Sequence, residues 1–399
     1  MRQTVLKLRR PKLNSVHLEG RTIIHAGRIF CSANGVDGPG SIVINGKLVE
    51  SVHVGAELQS STRPPVTSYD RLHKFPDGIL LPGLIDLHAH PANSDSVFGV
   101  SPDEFMVTHG VTTVMSQGDA GAANIDEYVG RTINKSKARI LLAINLSRVG
   151  ESTSRGCFEE LENANVAECV AAVTRHRDYV RAIAVNTSYH ACGSTSPHEI
   201  LRRGITAAEE TGLPILYGMR RPEDWPLEEQ LALLRPGDIV TYCFRREPHC
   251  IINDGQVLDC VRVARNRGIL FDIGHGMGSF NFDVAESAIS DGFAPDTIST
   301  DLQTDHLGTT PQHDLPLVMS KLNAAGMPSK DIFAAVTSTP ARLLNVESES
   351  GLLSPGRRAD LLVLDQLPNQ TLYDVTGQSR AGTLWTPRLT MLAGKVVPT

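Results

Sequence analysis

Residues 80–91 read Leu80-Leu81-Pro82-Gly83-Leu84-Ile85-Asp86-Leu87-His88-Ala89-His90-Pro91, and the fold turns on how this stretch is read. A Pro-Gly pair opens it, a short apolar run follows, and two histidines close it. A run of this length suits a buried strand better than an amphipathic helix. Side chains alternate faces along a strand, so His88 and His90 point the same way. At the end of a buried strand, two neutral imidazoles supply half of a zinc or iron site. Taken alone, His-x-His describes two ordinary loop histidines better than a site, so the reading must come from the rest of the chain.

Seven more apolar runs follow the first, near Val111–Met115, Ile140–Asn145, Ala182–Val185, Pro214–Tyr217, Asp238–Tyr242, Ile269–Ile273 and Thr297–Thr300. Helical patterns lie between them. Ser101-Pro102-Asp103-Glu104 and Ser196-Pro197-His198-Glu199 each place Ser at an N-cap, Pro at the first helical position and Glu three residues after the cap. Continuous apolar strands joined by helices imply a parallel sheet covered on both faces. Eight such units predict an α/β chain built on a TIM (β/α)8 barrel. An open doubly wound sheet ranks second, because no Gly-rich phosphate turn follows the first strand.

Both ends of the chain are β-rich instead. Thr22–His25, Ser41–Ile44 and Lys47–Val52 read as strands, with Asn45-Gly46 as a hairpin turn between the last two. Ala359–Leu364 and Leu389–Leu392 read the same way. The predicted organisation is a barrel over 75–345 and a small β-sandwich assembled from 22–74 and 346–399. Arg2, Lys7, Arg9, Arg10 and Lys12 make residues 1–21 a basic leader, a candidate for disorder, with no apolar segment of signal type behind it.

The composition sets outer bounds. The 399 residues carry 38 Lys+Arg against 44 Asp+Glu, a net charge of −6, which argues against nucleic acid as a partner. No apolar run approaches the roughly 20 residues of a membrane span. Seven cysteines without C-x-x-C spacing fit free thiols in a reducing, cytoplasmic setting.

The stretch Pro82-Gly83-Leu84-Ile85-Asp86-Leu87-His88-Ala89-His90 resembles the first-strand signature of the amidohydrolase superfamily. Gly351–Gly356 followed by Ala359-Asp360-Leu361 resembles the segment that returns such chains to their β-sandwich. Thr297-Ile298-Ser299-Thr300-Asp301 resembles the eighth strand with its metal-binding, proton-shuttling Asp, and Gly274–Phe280 a loop of the dihydroorotase-like and acetyl-mandelate deacetylase-like branch. The resemblance implies hydrolysis of an amide, cyclic amide or N-acyl group in a small molecule, and leaves a homo-oligomer open.

This chain departs from the two-metal pattern of those relatives. Ala184 stands where strand four carries a carboxylated Lys, Tyr217 or Gly218 where strand five carries His, and Tyr242 where strand six carries His. The expectation is therefore one divalent metal, zinc first and iron or manganese next, on His88, His90 and Asp301. Asp301 doubles as general base, and Tyr242 and His275 orient or polarise the substrate carbonyl. Tyr217, Arg220, Arg245 and His190 are candidate substrate contacts, the arginines as a clamp for an anionic group. Metal-free acid–base catalysis and an inactive small-molecule-binding barrel are the alternatives.

Overall fold

The structure, a computed structural model, describes residues 20–55, 70–93, 96–153, 156–246 and 250–398. The basic leader through residue 19 lies outside the described residues.

Seven parallel strands follow one another in chain order around the central sheet: Leu84–Ala89, Val111–Gln117, Arg139–Asn145, Val180–Asn186, Ile215–Gly218, Ile239–Thr241 and Leu270–Phe271. The eighth segment joins through a parallel bridge between Asp272 and Thr297 and through Ile273 N donating to Thr297 O at 3.2 Å. Asp301 N donates to His88 O (2.7 Å) and His90 N to Leu302 O (3.0 Å), which closes the ring. The expected eight-stranded barrel is present, and its closing seam is where His88, His90 and Asp301 lie.

The strands form because both of their faces are buried. The first, second and fifth are buried at every residue. Inside the ring, Ile85, Met115, Leu141, Ala182, Leu216 and Ile239, from six different strands, meet in one cluster. A larger cluster joins the outward-facing residues to the helices.

Helix starts follow their cap residues. Ser196 accepts from Glu199 N at 3.4 Å, Pro197 opens the helix Pro197–Thr211, and Gly212 closes it in the left-handed region. The same device at Ser101 does not form: the helix there is the single turn Pro102–Phe105 and Ser101 makes no side-chain cap.

The two ends of the chain build one seven-stranded sheet, in the order Lys395–Val397, Ser379–Leu392, Leu361–Tyr373, Arg71–Pro82, Thr22–Cys31, Val36–Asn45, Leu48–Val54. Arg71–Pro82 joins the halves, parallel to Thr22–Cys31 and antiparallel to Leu361–Tyr373. It also runs through the predicted boundary at residue 75, so the outer sheet extends to Pro82. Gly83 alone separates it from the first barrel strand, and a Cβ there would lie 2.2 Å from Thr112 Oγ1. That hand-over fixes the first strand, and with it His88 and His90, to the outer sheet.

Candidate active site

His88 and His90 leave the first barrel strand on the same side, as the alternation predicts. His88 Nδ1 lies 2.8 Å from Thr241 Oγ1, and that hydroxyl donates to Asp272 Oδ2 at 2.9 Å. A hydroxyl whose proton is committed to a carboxylate can only accept, so His88 Nδ1 carries the hydrogen. His90 Nδ1 lies 2.9 Å from Asp119 Oδ1, which is also an acceptor, so His90 Nδ1 donates as well. Asp272 is held in turn by Thr297 Oγ1 (2.7 Å) and Ser299 Oγ (2.6 Å). Asp119 is held by Ser96 Oγ (2.6 Å) and Ser116 Oγ (2.5 Å). Each imidazole is thus oriented by a carboxylate network behind it.

Both Nε2 atoms aim at Asp301 Oδ1, from 3.3 Å for His88 and 3.2 Å for His90. That oxygen is buried and has no hydrogen-bond partner. Three acceptor atoms therefore converge with nothing between them, which is stable only if protons or a cation occupy the middle. Burial works against charge on His88, but Asp301 and Asp272 outweigh it and lift its pKa to about 9. His90 is raised by Asp119 and Asp301 against the same burial. Burial likewise opposes the Asp301 charge, and the two imidazoles overcome it and hold its pKa below the usual carboxylate range.

Among the described residues no three or more His, Cys, Asp or Glu side chains form a ready-made cation cage. The donor set nevertheless suits a divalent ion. Tetrahedral N and O ligands at about 2.0–2.1 Å stand about 3.3 Å apart, and the two measured edges of this triad are 3.2 and 3.3 Å. Two Nδ1-protonated imidazoles and an unpartnered carboxylate oxygen are the chemistry such an ion takes.

The triad opens into a cavity of about 630 Å³ whose wall includes His90, Gln117, Glu151, Tyr242, Arg245 and Asp301. Tyr242 sits in the left-handed region, φ 68°, with its hydroxyl 3.4 Å from His88 Nε2. The Arg245 guanidinium lies 4.6 Å over the Tyr242 ring and donates to Ser279 Oγ through Nε (3.2 Å) and Nη2 (3.1 Å). No carboxylate among the described residues pairs with it, and burial lowers its pKa.

A sequence model of the amidohydrolase family matches residues 278–397. The chain is 32% identical over 324 residues to a deacetylase from Brucella anthropi, covering 79% of each protein. The chain belongs to the amidohydrolase family. A deacetylase from Enterococcus faecalis is 30% identical, over 85% of this chain and 93% of its own length. Crystal structures of an adenine deaminase (TM-score 0.83, 28% identity, 95% of this chain and 99% of that one) and a dihydroorotase (0.81, 27%, 95% and 98%) share the whole fold. This amidohydrolase is accordingly a hydrolase of non-peptide carbon–nitrogen bonds in small molecules.

The structure brings His88, His90, Asp301, Tyr242, Arg245 and His190 to one cavity wall or its floor. Three predicted contacts fall elsewhere. Tyr217 is fully buried in the layer between strand and helices, and its hydroxyl donates to Gln230 Oε1 at 2.8 Å. Alternation then puts Gly218 on the inner face, so the fifth strand offers no side chain to the site. Arg220 is consumed by Asp224 Oδ2 (2.9 Å) and Thr187 O (3.4 Å). His275 is buried behind Asp301, against Lys321 Nζ at 2.9 Å, and does not line the cavity.

Two residues on the cavity wall carried no sequence signal. Glu151 follows the third strand in a loop tied to Gly118 O through its own N–H at 3.1 Å. Burial pushes its carboxyl up to about 7, against the pull of His90. Gln117, at the end of the second strand, is buried with Oε1 unpartnered.

Proposed function

We propose that this amidohydrolase removes an acyl group from nitrogen, or opens a cyclic amide, on a small anionic molecule, with one divalent metal on His88, His90 and Asp301. The observation that carries the reading is Asp301 Oδ1, buried, without a hydrogen-bond partner and faced by two imidazole Nε2 atoms. Zinc is the first assignment, and two His with one carboxylate also suit iron or manganese. When bound, the ion supplies Lewis acidity and makes hydroxide available near neutral pH.

The chain's own groups do the rest. Asp301 takes the proton of the attacking water and returns it to the leaving nitrogen. Tyr242 presents its hydroxyl to the carbonyl oxygen as negative charge develops there. Arg245, steadied by Ser279 and the Tyr242 ring, receives the anionic group of the substrate. A cavity of about 630 Å³ has room for a small molecule, and the chain is similar to deacetylases.

One observation favours a second reading, catalysis without metal: His88 Nε2 and His90 Nε2 lie 3.3 and 3.2 Å from Asp301 Oδ1, within reach of direct ion pairs that need no ion between them. Metal analysis of protein purified without chelator separates the two. The metal reading expects about one ion per chain and turnover that chelator abolishes. Fewer than about 0.2 ions per chain, with turnover intact in chelator, selects the metal-free route. Asp301→Asn is expected to lose turnover in either case with the fold preserved, and near-normal turnover would remove Asp301 from both mechanisms.

A further inference from the structure

Behind Asp301, outside the cavity wall, lie His275, His306, His313 and Lys321, all buried. A catalytic contact does not account for any of them. The histidines bond the main chain at Gly276, Thr300 and Gln303, all beside Asp301, and Lys321 bonds His275. Lys321 Nζ stands 2.9 Å from His275 Nε2. An ammonium has donors only, so Nε2 must accept and the ring proton must sit on Nδ1. Nδ1 faces Gly276 O at 2.9 Å and donates to it. His313 Nε2 donates to Thr300 O at 3.0 Å, an oxygen that also accepts from Gly276 N at 3.0 Å. The His275 ring stacks on Phe280, 5.1 Å away at 13°, with the His313 ring tilted at 50° to it at 4.8 Å.

These bonds hold the two pieces of backbone that aim Asp301. The residue occupies the left-handed region at φ 52°, which a non-glycine residue keeps only when its surroundings impose it. Gly276 forms the wall behind the carboxylate, close enough that a Cβ there would lie 2.4 Å from Asp301 Oδ2.

We propose that Lys321, His275 and His313 are positioning residues for Asp301, with Lys321 acting by selecting the Nδ1-protonated form of His275 so that it can hold Gly276. The idea rests on the reading of Asp301 as the proton-transferring group.

The test uses two substitutions at one buried position. His275→Asn places an amide N–H near the site of Nδ1 and can still donate to Gly276 O. His275→Gln places its amide near the site of Nε2 and keeps only the contact with Lys321. Outer-shell partners of this kind carry about 10–100-fold in activity. The expectation is a kcat for His275→Asn within about threefold of wild type and for His275→Gln about tenfold lower, with KM within about twofold in both. A kcat ratio between the two variants below about threefold overturns the proposal. Long-range proton–nitrogen spectra of histidine-labelled wild-type protein give a second readout independent of turnover. His275 should show a protonated Nδ1 and an unprotonated Nε2, and the opposite pattern also overturns it. Lys321→Met should mix the two forms and lower kcat like His275→Gln. If it fails to fold, the His275 pair and the wild-type spectrum still decide. Failure of Asp301→Asn to lose turnover would instead strike the functional reading and leave the spectra unaffected.

Discussion

Thr241→Val probes the site through a residue that touches no substrate. Thr241 is fully buried at the end of the sixth strand, and its hydroxyl accepts from His88 Nδ1 at 2.8 Å while donating to Asp272 Oδ2 at 2.9 Å. Valine removes both bonds at nearly constant volume. Asp272 loses little, since Thr297 and Ser299 still donate to it. His88 loses its only close Nδ1 partner, because Asp272 Oδ2 is then the next acceptor at 3.7 Å, beyond hydrogen-bond range. An orphaned buried donor costs about 1–3 kcal/mol. Where that cost falls on the step that uses the opposite nitrogen, it corresponds to about 10–100-fold, the usual effect of removing the partner behind a metal-ligating histidine. The assay is apparent metal affinity, by competition with a chromophoric chelator, alongside kcat at saturating metal and a thermal melt. Thr241→Ser keeps the hydroxyl and should behave as wild type. A Val variant within twofold of wild type in both metal affinity and kcat would refute the claim that this network aims His88.

Three further outcomes are expected. Gly276→Ala should lower kcat at least about tenfold with the barrel intact by circular dichroism, because its Cβ meets Asp301 Oδ2 at 2.4 Å and its φ is 46°. Arg245→Met should raise KM for an anionic substrate by about tenfold or more and leave a neutral analogue unchanged, the loss expected for a charged hydrogen bond; equal effects on both would remove the clamp. Asp314→Asn should stabilise the protein at pH 8 and leave it unchanged near pH 4. Burial raises the Asp314 pKa to about 7, so the stability its neutral form contributes is complete below the unfolded value near 4 and lost as pH rises through 7. Asn keeps the helix cap that Asp314 makes to Leu317 N at 2.7 Å, and the gain at pH 8 is on the order of a few kcal/mol at most. Thermal melts at the two pH values check the sign, and an equal shift at both contradicts it.

What could be read in advance follows from which signals are local. Eight apolar runs and the Pro-Gly-Leu-Ile-Asp-Leu-His-Ala-His stretch were enough for the barrel and the histidine pair, because alternation is a property of neighbouring residues. The fifth strand defeated the same logic. Ile215–Gly218 is buried on both faces, so no polar residue marks which parity looks inward, and the sequence leaves Tyr217 and Gly218 equally open for the inner position. Arg220 had a warning in Asp224, four residues on, which takes its guanidinium. His275 depends on Lys321, 46 residues later, on the helix Leu315–Ala324, where every residue from Leu315 to Leu322 is buried. A lysine inside such a run was the available sign that some buried acceptor awaited it. Glu151 belongs to a loop, and nothing in Gly150-Glu151-Ser152-Thr153 predicts that it turns toward the site.

Two strained backbone positions lie within a few ångströms of the unpartnered Asp301 Oδ1. Six non-glycine residues among those described have positive φ. Asp254, Asn345 and Ala393 lie in turns, and Asn369 lies where the strand Leu361–Tyr373 shifts register. Asn and Asp take this region readily in such settings. Tyr242 and Asp301 are in neither setting, and a tyrosine gains nothing locally from it. Each ends a barrel segment, and each is turned so that an oxygen faces His88 Nε2, at 3.4 Å for Tyr242 and 3.3 Å for Asp301. Gly274 is what lets the Tyr242 ring come so close, since a Cβ there would lie 2.9 Å from Cδ1. Backbone strain costs on the order of 1–3 kcal/mol at each such residue, and a core packing for stability alone would not collect two of them beside an unpaired carboxylate oxygen. A single event, a cation or proton entering between the acceptors with substrate above it, would satisfy the carboxylate, the imidazoles and the phenol together. That coincidence is what supports reading the seam between the first, sixth and eighth barrel segments as the site proposed above, with Tyr242 at its edge.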